Sequence, residues 1–199
     1  MNYVRDKAKV VAINDAYRLA PWADLLYFCD TRWWEWHKDK REYQDFGGIK
    51  CTMSEVVADK EPGVVWVKNG GQSGFDERTD HVRTGKNGGY QCIHLCMHLG
   101  AARIILLGYD MRVSEVGHSH WFGEHKAPNG PIVPLRQGTL DLMVPYFSTL
   151  KPELDKRGIE VINCTPGSAI ECFTRFSLEQ AIDRKEDRHA NSEMALERD

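Results

Sequence analysis

Apolar residues come in short runs rich in β-branched and aromatic side chains, and each run ends on a polar or small residue. The clearest are KVVAIN (9–14), DLLYFCD (24–30), GVVWVKN (63–69), ARIILLGYD (102–110) and EVINC (160–164). A strand with one wet face alternates apolar and polar, whereas these runs are nearly continuous, so they predict strands covered on both faces. Between them the period changes. GGYQCIHLCMHLG (88–100) closes on Gly100 in a C-cap position, which predicts a buried helix. LRQGTLDLMVPYFSTLKPELDKRG (135–158) keeps a helical period, with Pro145 and Pro152 expected to kink or split it. SLEQAI (177–182) opens on Ser177 with Gln180 three residues later, a capping-box pattern. Strands alternating with helices predict an α/β fold of parallel strands joined by crossover helices.

The 199 residues, 42% of them apolar, suit one domain, expected over 1–182. The charged stretch 183–199 reads as a frayed helix or a disordered tail. A formal charge of −3 provides no global basic field. This disfavours duplex nucleic acid and anionic membranes as partners and favours a small molecule. No apolar run approaches the roughly 20 residues of a membrane span, and the first residues lack the apolar core of a signal peptide, so a cytoplasmic location is expected. The six cysteines (Cys29, Cys51, Cys92, Cys96, Cys164, Cys172) lack C-x-x-C spacing and read as reduced core residues.

Two stretches fit neither period, 31–48 and 112–134, and each follows a predicted strand. Segments leaving the carboxyl ends of parallel strands line the ligand crevice of an open α/β sheet. Asn14, Asp30 and Asp110 each close a strand; together they can meet the base or ribose of a nucleotide, and singly each can cap a turn. RTGKNGGYQC (83–92) sets Gly88 and Gly89 before the buried helix, with Arg83 and Lys86 nearby. Glycines admit a phosphate and a helix N-terminus attracts it, but a plain loop entering a helix reads equally well, because no standard phosphate fingerprint is present. GHSHWFGEHK (117–126) gathers His118, His120, Glu124 and His125. Such histidines serve as a general base, as zinc ligands or as surface residues; H-x-x-x-E-H is one residue longer than H-x-x-E-H, and no metal set is assigned. Trp22, Trp33, Trp34 and Trp36 either stack on a ligand or fill core and subunit contacts. With Lys38, Lys40 and Arg41 they also offer a lesser, single-stranded nucleic acid reading.

Taken in order, AIND, LYFCD, NGGYQCIHLCMHLGAARIILLGYD, HSHWFGEHK and INCTPGSAIECF resemble the sialyltransferase-like superfamily over residues 9–182. That group includes bacterial sialyltransferases, flagellin-modifying motility accessory proteins, archaeal hydroxymethylpterin pyrophosphokinases and proteins carried by bacteriophages, the last being the most alike. The resemblance implies a Rossmann-like fold, a mostly parallel open sheet with helices on both faces. It also implies that Asn14 and Asp30 contact the nucleotide, that Gly88 and Gly89 approach the donor, and that His120 or His125 deprotonates the acceptor hydroxyl. Three features depart from the family. A first strand followed by G-x-G-P-S-L is not seen before AIND, so the central strand is expected to be missing; Gly88-Gly89 replaces S-G; and Asp30 replaces an asparagine.

The function expected is a nucleotide-dependent transferase acting on a hydroxyl acceptor, either a glycosyltransferase or a diphosphotransferase. The donor is then a CMP-sugar or ATP, with Mg²⁺ held near Asp30 or Asp110 in the second case and Lys86, Arg83 or the helix N-terminus stabilising the leaving phosphate. The alternative is a non-catalytic binding or assembly module whose exposed sheet edge is covered in a homo-oligomer.

Overall fold

A computed structural model describes residues 2–118, 126–127, 130–131 and 135–184. In it the apolar runs become parallel strands. β1 (Val11–Ile13), β2 (Leu25–Phe28), β3 (Ile49–Thr52) and β4 (Val65–Trp66) pair in that order. The Val67 N–H donates to Thr52, and the same stretch then presents its other side, where β5 (Lys68–Asn69) pairs with β6 (His81–Val82). Then come β7 (Arg103–Leu106), an antiparallel pair of β8 (Lys126–Ala127) and β9 (Gly130–Pro131), β10 (Glu160–Asn163) and β11 (Thr174–Arg175). β10 lies between β7 and β11 in a second parallel sheet.

Seven α-helices, with 3-10 turns at Asn2–Val4 and Asn14–Arg18, complete the described chain: α1 (Thr31–His37), α2 (Arg41–Gln44), α3 (Glu55–Lys60), α4 (Gly88–His98), α5 (Gln137–Ser148), α6 (Lys151–Lys156) and α7 (Leu178–Asp183). On one face of the first sheet, Ala12, Leu26 and Phe28 pack with Tyr17, Trp33, Trp34, Tyr43 and Val57. On the other, Leu25, Tyr27, Cys51 and Val67 pack against Cys92 and Leu95 of α4. The second sheet places Ile104, Leu106 and Val161 against Ile93 and Met97 of the same helix and Phe147 and Leu154 of α5 and α6. Its reverse face, with Ile105 and Ile162, meets Ala181 of α7. Helices thus cover both faces of parallel sheets, the Rossmann-like α/β arrangement expected. Among the described residues no helix is long and apolar enough to cross a membrane.

Several expectations need correction. Residues 31–48 were expected to be irregular, but α1 and α2 occupy much of that stretch, with Trp33, Trp34 and Tyr43 in the core. Their helical period is obscured because the buried position one turn after Trp33 is a histidine, His37. The break in 135–158 falls between α5 and α6, while Pro145 lies inside α5. Pro152 sits in the first turn of α6, where a missing N–H costs nothing. The short strand β3 (IKCT), carrying an exposed Ile49 and a lysine, has too weak an apolar run to stand out in the sequence.

A buried polar cluster fixes the glycine-rich segment that precedes α4. The Asp76 N–H donates to His94 Nε2 at 2.9 Å, and Arg78 grips the Asp76 carboxylate with two nitrogens at 2.9 Å. Arg78's hydrogen bonds hold that carboxyl well below the usual range. Burial, aided by His98 and Arg83, pushes His94 down to about 3. The folded chain therefore keeps His94 neutral while the unfolded chain binds a proton near its ordinary pKa of about 6.5. This contribution is complete above about pH 6.5 and is lost as pH falls towards about 3, with a slope of up to about 1.4 kcal/mol per pH unit. Asp76 adds its own loss only below its ordinary pKa of about 4. Urea melts between pH 7 and 4.5 are expected to show this decline, and His94→Gln, which keeps an acceptor for Asp76, should flatten it.

Candidate functional site

From β1 the chain moves outwards through β2, β3 and β4, and after α4 it resumes with β7, the edge of a second parallel sheet that packs on the same helix. In open α/β sheets, ligands bind at such a switch point, outside the carboxyl ends of the strands. The N-terminus of α4 lies there. A Cβ built on Gly88 would meet only Ile13 Cγ2, at 3.6 Å, so Gly88 borders open space at the end of β1. A Cβ on Gly89 would lie 2.6 Å from the Tyr109 ring and 2.9 Å from Asn87 Oδ1. Gly89 is therefore required for packing against the segment that leaves β7.

Of the four non-glycine residues with positive φ among the described residues, three border this crevice: Asn14 (48°), Lys86 (56°) and Met111 (50°). Such residues each cost on the order of 1 kcal/mol and gather where function holds them in place. Asn14 Oδ1 is also buried without a hydrogen-bond partner, an arrangement that costs about 1–3 kcal/mol until a donor arrives.

The other expected residues take different roles. Asp30 caps α1, its Oδ1 accepting the Arg32 N–H at 2.9 Å. Asp110 is exposed at the exit from β7, and its carbonyl accepts the Ala169 N–H. Lys86 is exposed, its Nζ 5.9 Å from the Tyr146 ring centre. Arg83 is drawn to Asp76, 3.4 Å away, rather than to the crevice. Trp33 and Trp34 belong to the core and give a ligand no stacking surface. His118 is exposed, while His120, Glu124 and His125 lie outside the described residues. Among the described residues, no group of three or more His, Cys, Asp or Glu is placed to hold a metal.

Residues that the sequence reading passed over shape the crevice more. Asn87 is the N-cap of α4, accepting from the Gly89 and Tyr90 N–H groups at 2.7 and 3.3 Å. An anion at this helix end is left with the Gly88 N–H and the partial positive charge of the helix. An asparagine just before the predicted helix was the available signal. The N-C-T-P-G-S segment after β10 is a brace: Thr165 Oγ1 accepts the Tyr109 N–H at 2.9 Å, and Ser168 Oγ donates to the Tyr109 carbonyl at 2.6 Å. Tyr109 in turn donates through its hydroxyl to the Gly89 carbonyl at 3.2 Å. A separate cavity of about 420 Å³ opens at the amino ends of β2 and β3, lined by Trp22, Asp24, Gly48 and Ile49, away from this crevice.

The fold defines an open α/β protein with a crevice at the strand ends. No family model, curated protein or solved structure matches the chain.

The two glycines separate packing from ligand access. Gly89→Ala is expected to lower stability by about 1–3 kcal/mol through overpacking against Tyr109, whereas Gly88→Ala should melt close to the parent chain. Equal melting temperatures for the two variants would show that Gly89 is not a packing residue.

Proposed function

We propose that this chain is a nucleotide-dependent transferase whose nucleotide lies across the carboxyl ends of β1 and β7. One observation carries the reading: Asn14 holds an unpartnered, buried carbonyl oxygen in a left-handed backbone beside the N-terminus of α4, at the switch point. The Asn14 oxygen accepts from a ribose hydroxyl or a base amino group. Phosphate sits towards Gly88, whose N–H bonds to no described group and whose helix end favours negative charge. Asp30 reinforces the exit from β2 through its cap, and Lys86 supplies an exposed cation at the entrance to α4. Asp110 is the carboxylate positioned for Mg²⁺ if the donor is ATP. His120 or His125 takes the acceptor hydroxyl proton, as the family resemblance implies.

The donor class is tested by thermal-shift measurements with CMP, CDP, UDP, GDP and ATP, each with and without Mg²⁺. At about 100 dissociation constants a nucleotide adds roughly 2.7 kcal/mol, a shift of a few degrees for a chain of this size. A cytidine-selective shift without metal identifies glycosyl transfer from a CMP-sugar, and a shift with ATP that requires Mg²⁺ identifies diphosphoryl transfer. Asn14→Gly relieves the backbone strain while removing the amide, so it should fold and lose the nucleotide shift. No shift with any nucleotide overturns the transferase reading.

A further inference from the structure

The chain leaving β5 and the chain leaving β6 run side by side: the Thr84 N–H donates to the Gly71 carbonyl at 2.9 Å and the Gly85 N–H to the Gln72 carbonyl at 2.8 Å. They close on Arg83. A Cβ on Gly71 would lie 2.5 Å from Arg83 Nη1, and one on Gly70 would collide with the Asp76 carboxylate, so the glycine backbone lies directly against both charged groups. Gly71 also has a φ of 114°, a conformation that any side chain would strain.

The charges gathered here do not balance. Arg78 occupies both oxygens of the Asp76 carboxylate with two side-chain nitrogens at 2.9 Å, and its backbone N–H adds a third bond at 3.2 Å. Arg83 reaches the same carboxylate only through Nε, at 3.4 Å and without a hydrogen bond. Arg78's bonds, more than Arg83's charge, hold the Asp76 carboxyl low. The other carboxylates of this stretch are committed elsewhere, Glu77 to Arg157 at 2.7 Å and Asp80 to Lys68 at 2.9 Å and His81 at 2.6 Å. One carboxylate therefore faces two guanidinium groups, and one positive charge is left over.

That charge is open to solvent. The Arg83 side chain is 31% exposed, and of its three nitrogens only Nε is sealed in. Among the described residues none of the three has a hydrogen-bond partner, an expensive state for a largely buried group with five N–H donors. The adjoining turn is exposed and offers more donors: the Gln72 and Ser73 N–H groups have no partner among the described residues. The Tyr146 hydroxyl donates to Gln72 Oε1 at 2.9 Å, which leaves the Gln72 amide nitrogen free to donate. Lys86, which forms no ion pair among the described residues, reaches the same Tyr146 ring.

We propose that Arg83 and the turn at 71–73 bind a terminal oxyanion, the phosphate monoester or carboxylate group of a small ligand, with Lys86 as the second cation. The fork of a guanidinium matches two oxygens of such a group, and the bound oxyanion supplies the negative charge that Asp76 does not. The site uses no atom of Asn14. It goes beyond the nucleotide reading and does not rest on it.

NMR titrations of the full chain with methyl phosphate and with acetate, at constant ionic strength, test the proposal. One or both should move the Gly71, Gln72 and Ser73 amide resonances to saturation. Tighter binding of methyl phosphate assigns the site to phosphate monoesters, and tighter binding of acetate assigns it to carboxylates. Arg83→Gln should melt close to the parent chain, because Asp76 keeps Arg78, and should weaken the bound probe by roughly tenfold or more. Arg83→Lys keeps the charge but loses the fork, so it should bind several-fold more weakly than the parent, and it carries the comparison if Arg83→Gln does not fold. Asn14→Gly, which should lose the nucleotide response, should keep the oxyanion response, so the two readings fail separately. The proposal is overturned if neither probe saturates these resonances, if the shifts fall elsewhere in the chain, or if the Arg83 variants bind as the parent does.

Discussion

Helix α4 has no solvent side, and the two sheets form one body because both bury it. Residues 90 to 95 and Met97 are buried, and the rest of α4, Gly88, Gly89, Cys96 and His98, is partly buried. A helix apolar all round must be enclosed, and each large apolar side chain it buries contributes roughly 1.5–3 kcal/mol. Gln91 is satisfied on both sides, although His94 Nδ1 is buried without a partner: the Tyr27 hydroxyl donates to Gln91 Oε1 at 2.9 Å, and Gln91 Nε2 donates to the Thr84 carbonyl at 3.0 Å. The Tyr90 hydroxyl reaches the Gly74 carbonyl at 2.9 Å. These bonds tie the first sheet and the glycine-rich approach to the same helix that supports the second sheet.

The position of that helix determines the chemistry available at the strand ends. Its N-terminus points into the switch-point crevice, but Asn87 already occupies two of its amide donors. What distinguishes the crevice is therefore strain and an unmet acceptor at Asn14, with further left-handed residues at Lys86 and Met111, more than a cradle of free amides. The brace from Thr165 and Ser168 to Tyr109 ties the β7 exit to Gly89 at the start of α4.

On the opposite face of the first sheet, a buried polar network allows tryptophans to serve as core. Trp33 Nε1–H donates to Asp15 at 2.9 Å, His37 stacks on Trp33 with ring centres 4.1 Å apart, and His37 Nδ1 lies 2.9 Å from the Tyr17 hydroxyl. Buried indole N–H groups need such partners. Their supply by Asp15 and Glu61, from distant segments, explains why the aromatic cluster looks like a ligand surface in the sequence and is core in the fold.

Local pattern alone determined the α/β class, strands within 9–14, 24–30, 102–110 and 160–164, the burial of α4 and the Ser177–Gln180 capping box, because continuous apolar runs and cap residues act within a few positions of chain. It also marked Asn14, Gly88 and Gly89 as residues at strand and helix ends. Only the tertiary structure decided that Asp30 caps a helix, that Arg83 belongs to Asp76, that Gly89 makes room for Tyr109, and that the sheet divides between β1 and β7. The last two depend on pairing between segments far apart in sequence, while the Asp30 cap and the Arg83–Asp76 pair are local contacts that win over a role in the crevice. Strand order, hydrogen-bond partners and close approach are properties of that pairing, which a periodicity read along one stretch of chain does not contain.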